Sequence, residues 1–149
     1  GCTVPGLVIP RVQLAGDRES EAGFLEGAGD RPVKVARHDG TPDGLCRSLE
    51  AMMATGPVPD GLLVCHSTHA VTTLTWLLHR GWKVPRQVRL ISRDDDLFLE
   101  HVTPAISRYS LQPAVFASHV ARRVQQVLGA PTAAKPDLLL PEFRGNDTL

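Results

Sequence analysis

Two short clusters hold most of the chemically capable side chains of this 149-residue chain: His66-Ser67-Thr68-His69 and Arg93-Asp94-Asp95-Asp96. Each follows an apolar run, L-L-V-C at 62–65 and V-R-L-I at 88–91. His66 and Ser67 stand where a strand passes into a helix, and the free N–H groups of a helix start favour a polar or anionic ligand. Three consecutive carboxylates cannot all be buried without partners. Asp94, first off its strand, is the one placed to enter a cleft. There it can accept hydroxyl donors from a sugar-like ligand or neutralise a basic group. Asp95 and Asp96 read as loop caps or solvated charge. Arg108, in the next strand, is expected either to pair with Asp94 or a ligand carboxylate, or to lie on the sheet's edge as a surface residue.

The same residues also have plainer readings. His66 and His69 serve equally as capping and surface histidines, and two histidines three apart lack a third metal ligand. The acidic run has no phosphate-binding glycine loop beside it, as a magnesium site for nucleotides would. G-x-S-x-G, C-x-x-C and H-E-x-x-H are all absent. The expectation is therefore binding without catalysis and without a cofactor. The remaining enzymatic alternative is a metal-assisted hydrolase built on His66, His69 and Asp94.

The elements that must position these groups follow from apolar spacing. A strand is expected near 7–15 and a short helix near 18–27. V-K-V-A-R at 33–37 alternates as a strand. Thr41-Pro42-Asp43 starts a helix by capping, fixed φ and dipole charge. Its apolar face is Leu45, Leu49, Met52 and Met53. Residues 62–65 form a buried strand. Ser67 or Thr68 caps the next helix, which runs to His79, packs through Ala70, Val71, Leu74, Leu77 and Leu78, and stops at Gly81. Strands at 88–91 and 105–109 flank a loop or short helix at 94–99. Pro113 opens a long helix to Leu128. Residues 129–137 read as a loop, and D-L-L-L-P at 137–141 as a last strand. Strands alternating with helices of this length mean right-handed βαβ units, hence a three-layer α/β/α domain with a mostly parallel sheet.

Sixteen basic and sixteen acidic side chains cancel. No basic surplus exists to grip nucleic acid along the chain. Three scattered cysteines make no disulfide framework, which fits a reducing compartment. No apolar run is long enough for a membrane span, and no secretory leader opens the chain, so a cytoplasmic location and no membrane partner are expected.

Several stretches together resemble the effector-binding region of LacI/GalR-type bacterial transcription regulators, which have the type I periplasmic-binding-protein fold. P-D-G-L-L-V-C-H-S-T-H-A-V-T-T-L is similar to the family's strand, Asn-Asp and Ala-rich helix, with His66 and Ser67 at the Asn and Asp positions. G-W-K-V-P-R-Q-V-R-L-I-S-R-D-D is similar to G-x-x-V-P-x-D-V-S-V-x-G-[FY]-D-D, with Asp94 at the first terminal aspartate. T-P-A-I-S-R-Y-S-L-Q-P resembles P-P-L-T-T-V-x-Q-P, and L-L-L-P-E-F-R-G-N-D-T-L resembles the closing L-x-P-x-L-x-x-R-x-S-T. G-D-R-E-S-E-A-G-F-L is similar to the segment holding R-x-x-G-[FY], which makes Arg18 a candidate ligand-facing arginine. The chain departs from the pattern at Ser67, at Ser92-Arg93 and at Ser107-Arg108.

The resemblance implies mainly a carboxyl-terminal lobe over residues 31–149, with residues 1–30 a remnant of the first lobe or a crossover segment. It implies a small polar effector, such as a sugar or nucleoside, held by Asp94, Ser67, His66, Arg18, Arg93 and Arg108. It further implies a homodimer, with the helices from Pro42 and Ser67 as candidate surfaces. Operator DNA would be read by a headpiece absent from this chain. The alternative is a periplasmic solute-binding protein of the same fold.

Overall fold

Each apolar run followed by an amphipathic stretch becomes one βα unit. The computed structural model describes residues 1–129 and 139–149. Its elements are β1 (Pro5–Pro10), α1 (Ala15–Ala28), β2 (Lys34–His38), α2 (Pro42–Ala54), β3 (Gly61–Val64), α3 (Ser67–His79), β4 (Arg89–Ser92), a 3₁₀ turn (Leu97–Glu100), β5 (Ser107–Ser110), α4 (Pro113–Gly129) and β6 (Glu142–Arg144). The strands form one sheet in the order β2-β1-β3-β4-β5-β6. The first five are parallel, and β6 runs antiparallel to β5.

Side-chain alternation divides the core in two. Val8, Leu62, Val64 and Leu90 face α2 and α3, meeting Leu45, Leu49, Met52, Ala70, Leu74 and Leu77. Leu7, Ile9 and Cys65 face the other way, with Leu63 and Phe24 of α1 packed on them. This is the expected three-layer arrangement. Cys65 is fully buried, and Trp76 and Trp82 pack against the larger core.

Local signals act where they were read. Thr41 Oγ1 accepts from Gly44 N at 3.0 Å and caps α2. Gly81, with φ +79°, follows the end of α3, a conformation that suits glycine.

Four expectations change. The first strand ends at Pro10 rather than residue 15: Val12 and Leu14 are exposed, and α1 begins at Ala15. Neither Ser67 nor Thr68 caps α3; the cap position is His66, and Ser67 is the first helical residue. Leu78 lies outside the α3 packing face and is 42% exposed, while Thr73 takes a buried place. The last strand is Glu142–Arg144; of the strand expected over 137–141, residues 139–141 are not in a strand and 137–138 lie outside the described residues. The loop expected over 129–137 lies outside the described residues from 130 onward.

Residues 1–30 do not stand apart from the sheet. They supply β1, which pairs with β2 on one side and β3 on the other. At the opposite end of the chain, Thr148 is buried between β4 and β5. Its hydroxyl donates to Leu90 O at 2.7 Å and accepts from Ser107 N at 2.9 Å.

α4 differs from the other helices. Phe116, Val120, Val124, Val127 and Leu128 make an apolar stripe, yet no α4 residue is buried. Among the described residues, no helix is long and apolar enough to cross a membrane.

Candidate functional site

Five parallel strands send their following loops to one edge of the sheet, the usual ligand edge of an open α/β sheet. A cavity of about 890 Å³ opens there, lined by Ser67, Arg93, Asp94, Asp95, Asp96, Glu100, Arg108 and the segment from Tyr109 to Pro113, together with Leu97, Leu139, Pro141 and Arg144.

A chain of charged groups runs along one side of this edge. Asp17, in the first turn of α1, is 3% exposed. Its Oδ2 accepts from Leu14 N at 3.1 Å, and its Oδ1 accepts from Arg93 Nη1 at 2.8 Å. The same Nη1 donates to Ser20 Oγ at 3.2 Å, and Arg93 Nε donates to Asp94 Oδ1 at 2.8 Å. Asp94 Oδ2 accepts from His66 Nδ1 at 2.9 Å. His66 Nε2 stands 3.9 Å from Asp17 Oδ1. The path thus joins α1, β4 and the start of α3. Burial alone would raise the Asp17 pKa, but the hydrogen bonds from Arg93 and Leu14 and the nearby charges of Arg93 and His66 hold it below the usual range. Burial works against the Arg93 charge, yet its bonds to Asp94 and Asp17 carry its pKa above normal.

A second group lies beside β5. Arg108 Nε donates to Asp95 Oδ1 at 2.5 Å, and its Nη2 bonds Glu100. Ser110 Oγ donates to Asp95 Oδ2 at 2.6 Å. Ser67 Oγ donates to Asp96, which explains why that hydroxyl does not cap its own helix.

Five of the six residues singled out in the sequence, Asp94, Ser67, His66, Arg93 and Arg108, meet at this edge. Arg18 does not join them. It is exposed and donates from Nη1 to Gln13 O at 3.0 Å. Counting R-x-x-G back from Gly23 lands on Ser20, and it is Ser20 that touches Arg93. Arg108 pairs with Asp95 and Glu100, not Asp94, and is not a surface residue, its side chain being 5% exposed. Asp95 is a partly buried, bonded partner rather than solvated charge, whereas Asp96 is exposed, stands at the cap position of the 3₁₀ turn and accepts from Ser67. Asp17 went unread because its i→i−3 bond to Leu14 N is a common capping pattern; only its burial against Arg93 marks it.

Behind His66 stand two more imidazoles. His69 lies 5.4 Å and His38 a further 4.3 Å away between ring centroids, each pair edge-on. His38 is 1% exposed and accepts from Gly40 N through Nδ1 at 3.1 Å. Its Nε2, like His69 Nδ1, is buried without a hydrogen-bond partner. Burial, then the charges of His69 and His66, push the His38 pKa down to about 4. Among the described residues, no group of three or more His, Cys, Asp or Glu is placed to hold a metal ion.

The family model of the periplasmic binding protein-like domain matches residues 1–145 of this chain. The chain belongs to this family.

Solved structures share this fold. One from Escherichia coli, a sugar-binding transcriptional regulator of the LacI family complexed with phosphate, superposes with a TM-score of 0.83 at 19% identity. It is matched by 100% of this chain over 55% of its own length. A LacI-family regulator from Bifidobacterium animalis gives 0.84 at 16% identity, over 99% of this chain and 55% of that one. Another, from an Arthrobacter species in complex with lactose, gives 0.80 at 16% identity, over 99% and 57%. The chain thus spans little more than half of these structures. Among curated proteins, none matches its sequence. The fold shared with LacI-family regulators is the one their motifs implied in the sequence.

Proposed function

We propose that this periplasmic binding protein-like chain is a lobe of a ligand-sensing transcription regulator, binding a small polar effector and carrying out no catalysis. The observation that supports it best is the open cavity at the carboxyl edge, lined by charged groups of the segment after β4 (Arg93 to Asp96 and Glu100), by Arg108 of β5 and by Ser67 at the start of α3. A rim of this kind, its hydroxyls and charges bonded to one another, orients a small ligand. The α4 stripe supplies the second support. Five exposed apolar side chains on one helix face suit a companion lobe, so that an effector is clasped between two bodies. Closing on effector would change the angle between lobes. Dimer partners, meeting through the α2 and α3 surfaces, would transmit that change to DNA-reading headpieces in a cytoplasmic regulator. The same lobe in an exported solute-binding protein would hold its ligand in the same cavity.

The test is thermal melting of the protein, joined to its companion lobe, against sugars, nucleosides and small acids. A ligand bound only by the folded state raises the midpoint. The expected result is a hit abolished by Asp94→Ala. A full panel without any shift removes the sensor reading; turnover of a panel compound by the protein replaces it with an enzyme.

A further inference from the structure

We infer that the Asp17–Asp94 carboxylate pair is a binding subsite for a planar cation, and that the chain fills it with its own Arg93. Both oxygens of each carboxylate are engaged. Asp17 holds Leu14 N and Arg93 Nη1, and Asp94 holds Arg93 Nε and His66 Nδ1. Arg93 is the shared partner. A guanidinium suits this place because its donors lie in one plane at fixed angles, so a single group reaches two carboxylates and the Ser20 hydroxyl. An ammonium is a point charge and would not span them in the same way.

The placement has a direct consequence for what the cavity can hold. Asp94 is the carboxylate that stands first off β4, and each of its oxygens already accepts one bond, from Arg93 and from His66. A neutral polyol at Asp94 therefore shares the carboxylate with an intramolecular ion pair and takes only its remaining lone pairs. A ligand bearing a guanidinium or amidinium has the chemistry to replace Arg93 in kind. Arg93 in this way sets effector selectivity. It also latches the first turn of α1 to the loop after β4 and, through Asp94, to the start of α3. The self-filled subsite stands on this chain's own contacts; its meaning for effector choice rests on the sensor reading above.

The experiment removes the occupant and offers a substitute. Arg93→Ala should lower the melting midpoint by about 5–10 °C, because two carboxylates lose their shared partner. Methylguanidinium chloride at about 20 mM should then restore most of the loss in the variant, and leave the parent protein unchanged against equal sodium chloride. Methylammonium should restore little. Rescue by both cations, or by neither, overturns the subsite. A second measurement needs no side-chain truncation at Arg93. Modification of Arg93 by phenylglyoxal, followed by peptide mass spectrometry, should be slow in the parent and several-fold faster in Asp17→Asn, whose amide oxygen still accepts from Leu14 N. Equal rates in the two proteins overturn the latch. Neither readout depends on finding an effector, so a failed effector panel leaves this result standing and a failed rescue leaves the panel's answer intact.

Discussion

His38 shows how one buried side chain can set a pH limit for the whole lobe. Its neutral ring accepts from Gly40 N, and burial pushes its pKa down to about 4 from 6.5. In the unfolded chain the ring takes a proton below about pH 6.5; in the folded chain it does so only below about 4. Between these values the unfolded state binds more protons, so stability falls as pH falls. The loss amounts to about 3 kcal/mol by pH 4 from this group alone. Above pH 6.5 the contribution is complete. Burial lowers the His69 pKa as well, adding in the same direction. Urea unfolding midpoints at pH 7, 5.5 and 4.5 should show the slope. His38→Asn, which keeps an acceptor for Gly40 N, should flatten it; an unchanged slope would move the effect to the carboxylates. Cys65 needs no such test, since burial raises its thiol to about 11 and leaves it an inert core residue.

Among the elements, the most informative contacts are those that tie one strand to the next. Thr148 joins the chain's last turn to Leu90 and Ser107 with a single buried hydroxyl. Thr148→Val keeps the shape but leaves a strand N–H unsatisfied, and should cost about 1–3 kcal/mol in denaturant unfolding. Thr41→Ala, which removes the α2 cap, should cost about 1 kcal/mol by the same measurement. The cap, the α2 and α3 packing faces and the buried strands were legible in the sequence because each follows from local spacing or a local hydrogen bond. The partners of Arg108 and Arg93 were not. Which carboxylate an arginine reaches depends on how far each loop travels after its strand, and Asp94, Asp95 and Asp96 differ by one residue each while pointing to three different partners. The misplacement of Arg18 has a similar origin: two positions, about half a turn of α1, separate Ser20, which reaches Arg93, from Arg18, which faces solvent. The early end of β1 had no strong signal either, since Val12 and Leu14 carry strand-like side chains into an exposed loop.

At the scale of the whole molecule, cohesion is uneven. The sheet with α2 and α3 buries one continuous core. Leu74→Ala within it should cost about 2–5 kcal/mol. α4 buries none of its residues. A helix of this length has little stability without packing, so its amides should exchange with deuterium far faster than those of α2 and α3 in this chain alone. A companion lobe that covers the stripe should slow α4 exchange selectively. Uniform slow exchange in the isolated chain would instead mean that copies of the lobe pair through α4.

The chain leaves the sheet at β5, forms α4, and returns as β6 paired antiparallel beside the strand it left. Departure and return are therefore stitched together, Arg108 opposite Arg144 and Ser110 opposite Glu142. A companion body resting on α4 would therefore load two paired strands rather than one. Arg108 and Ser110, both bonded to Asp95, would be the side chains that couple such a load to the cavity rim.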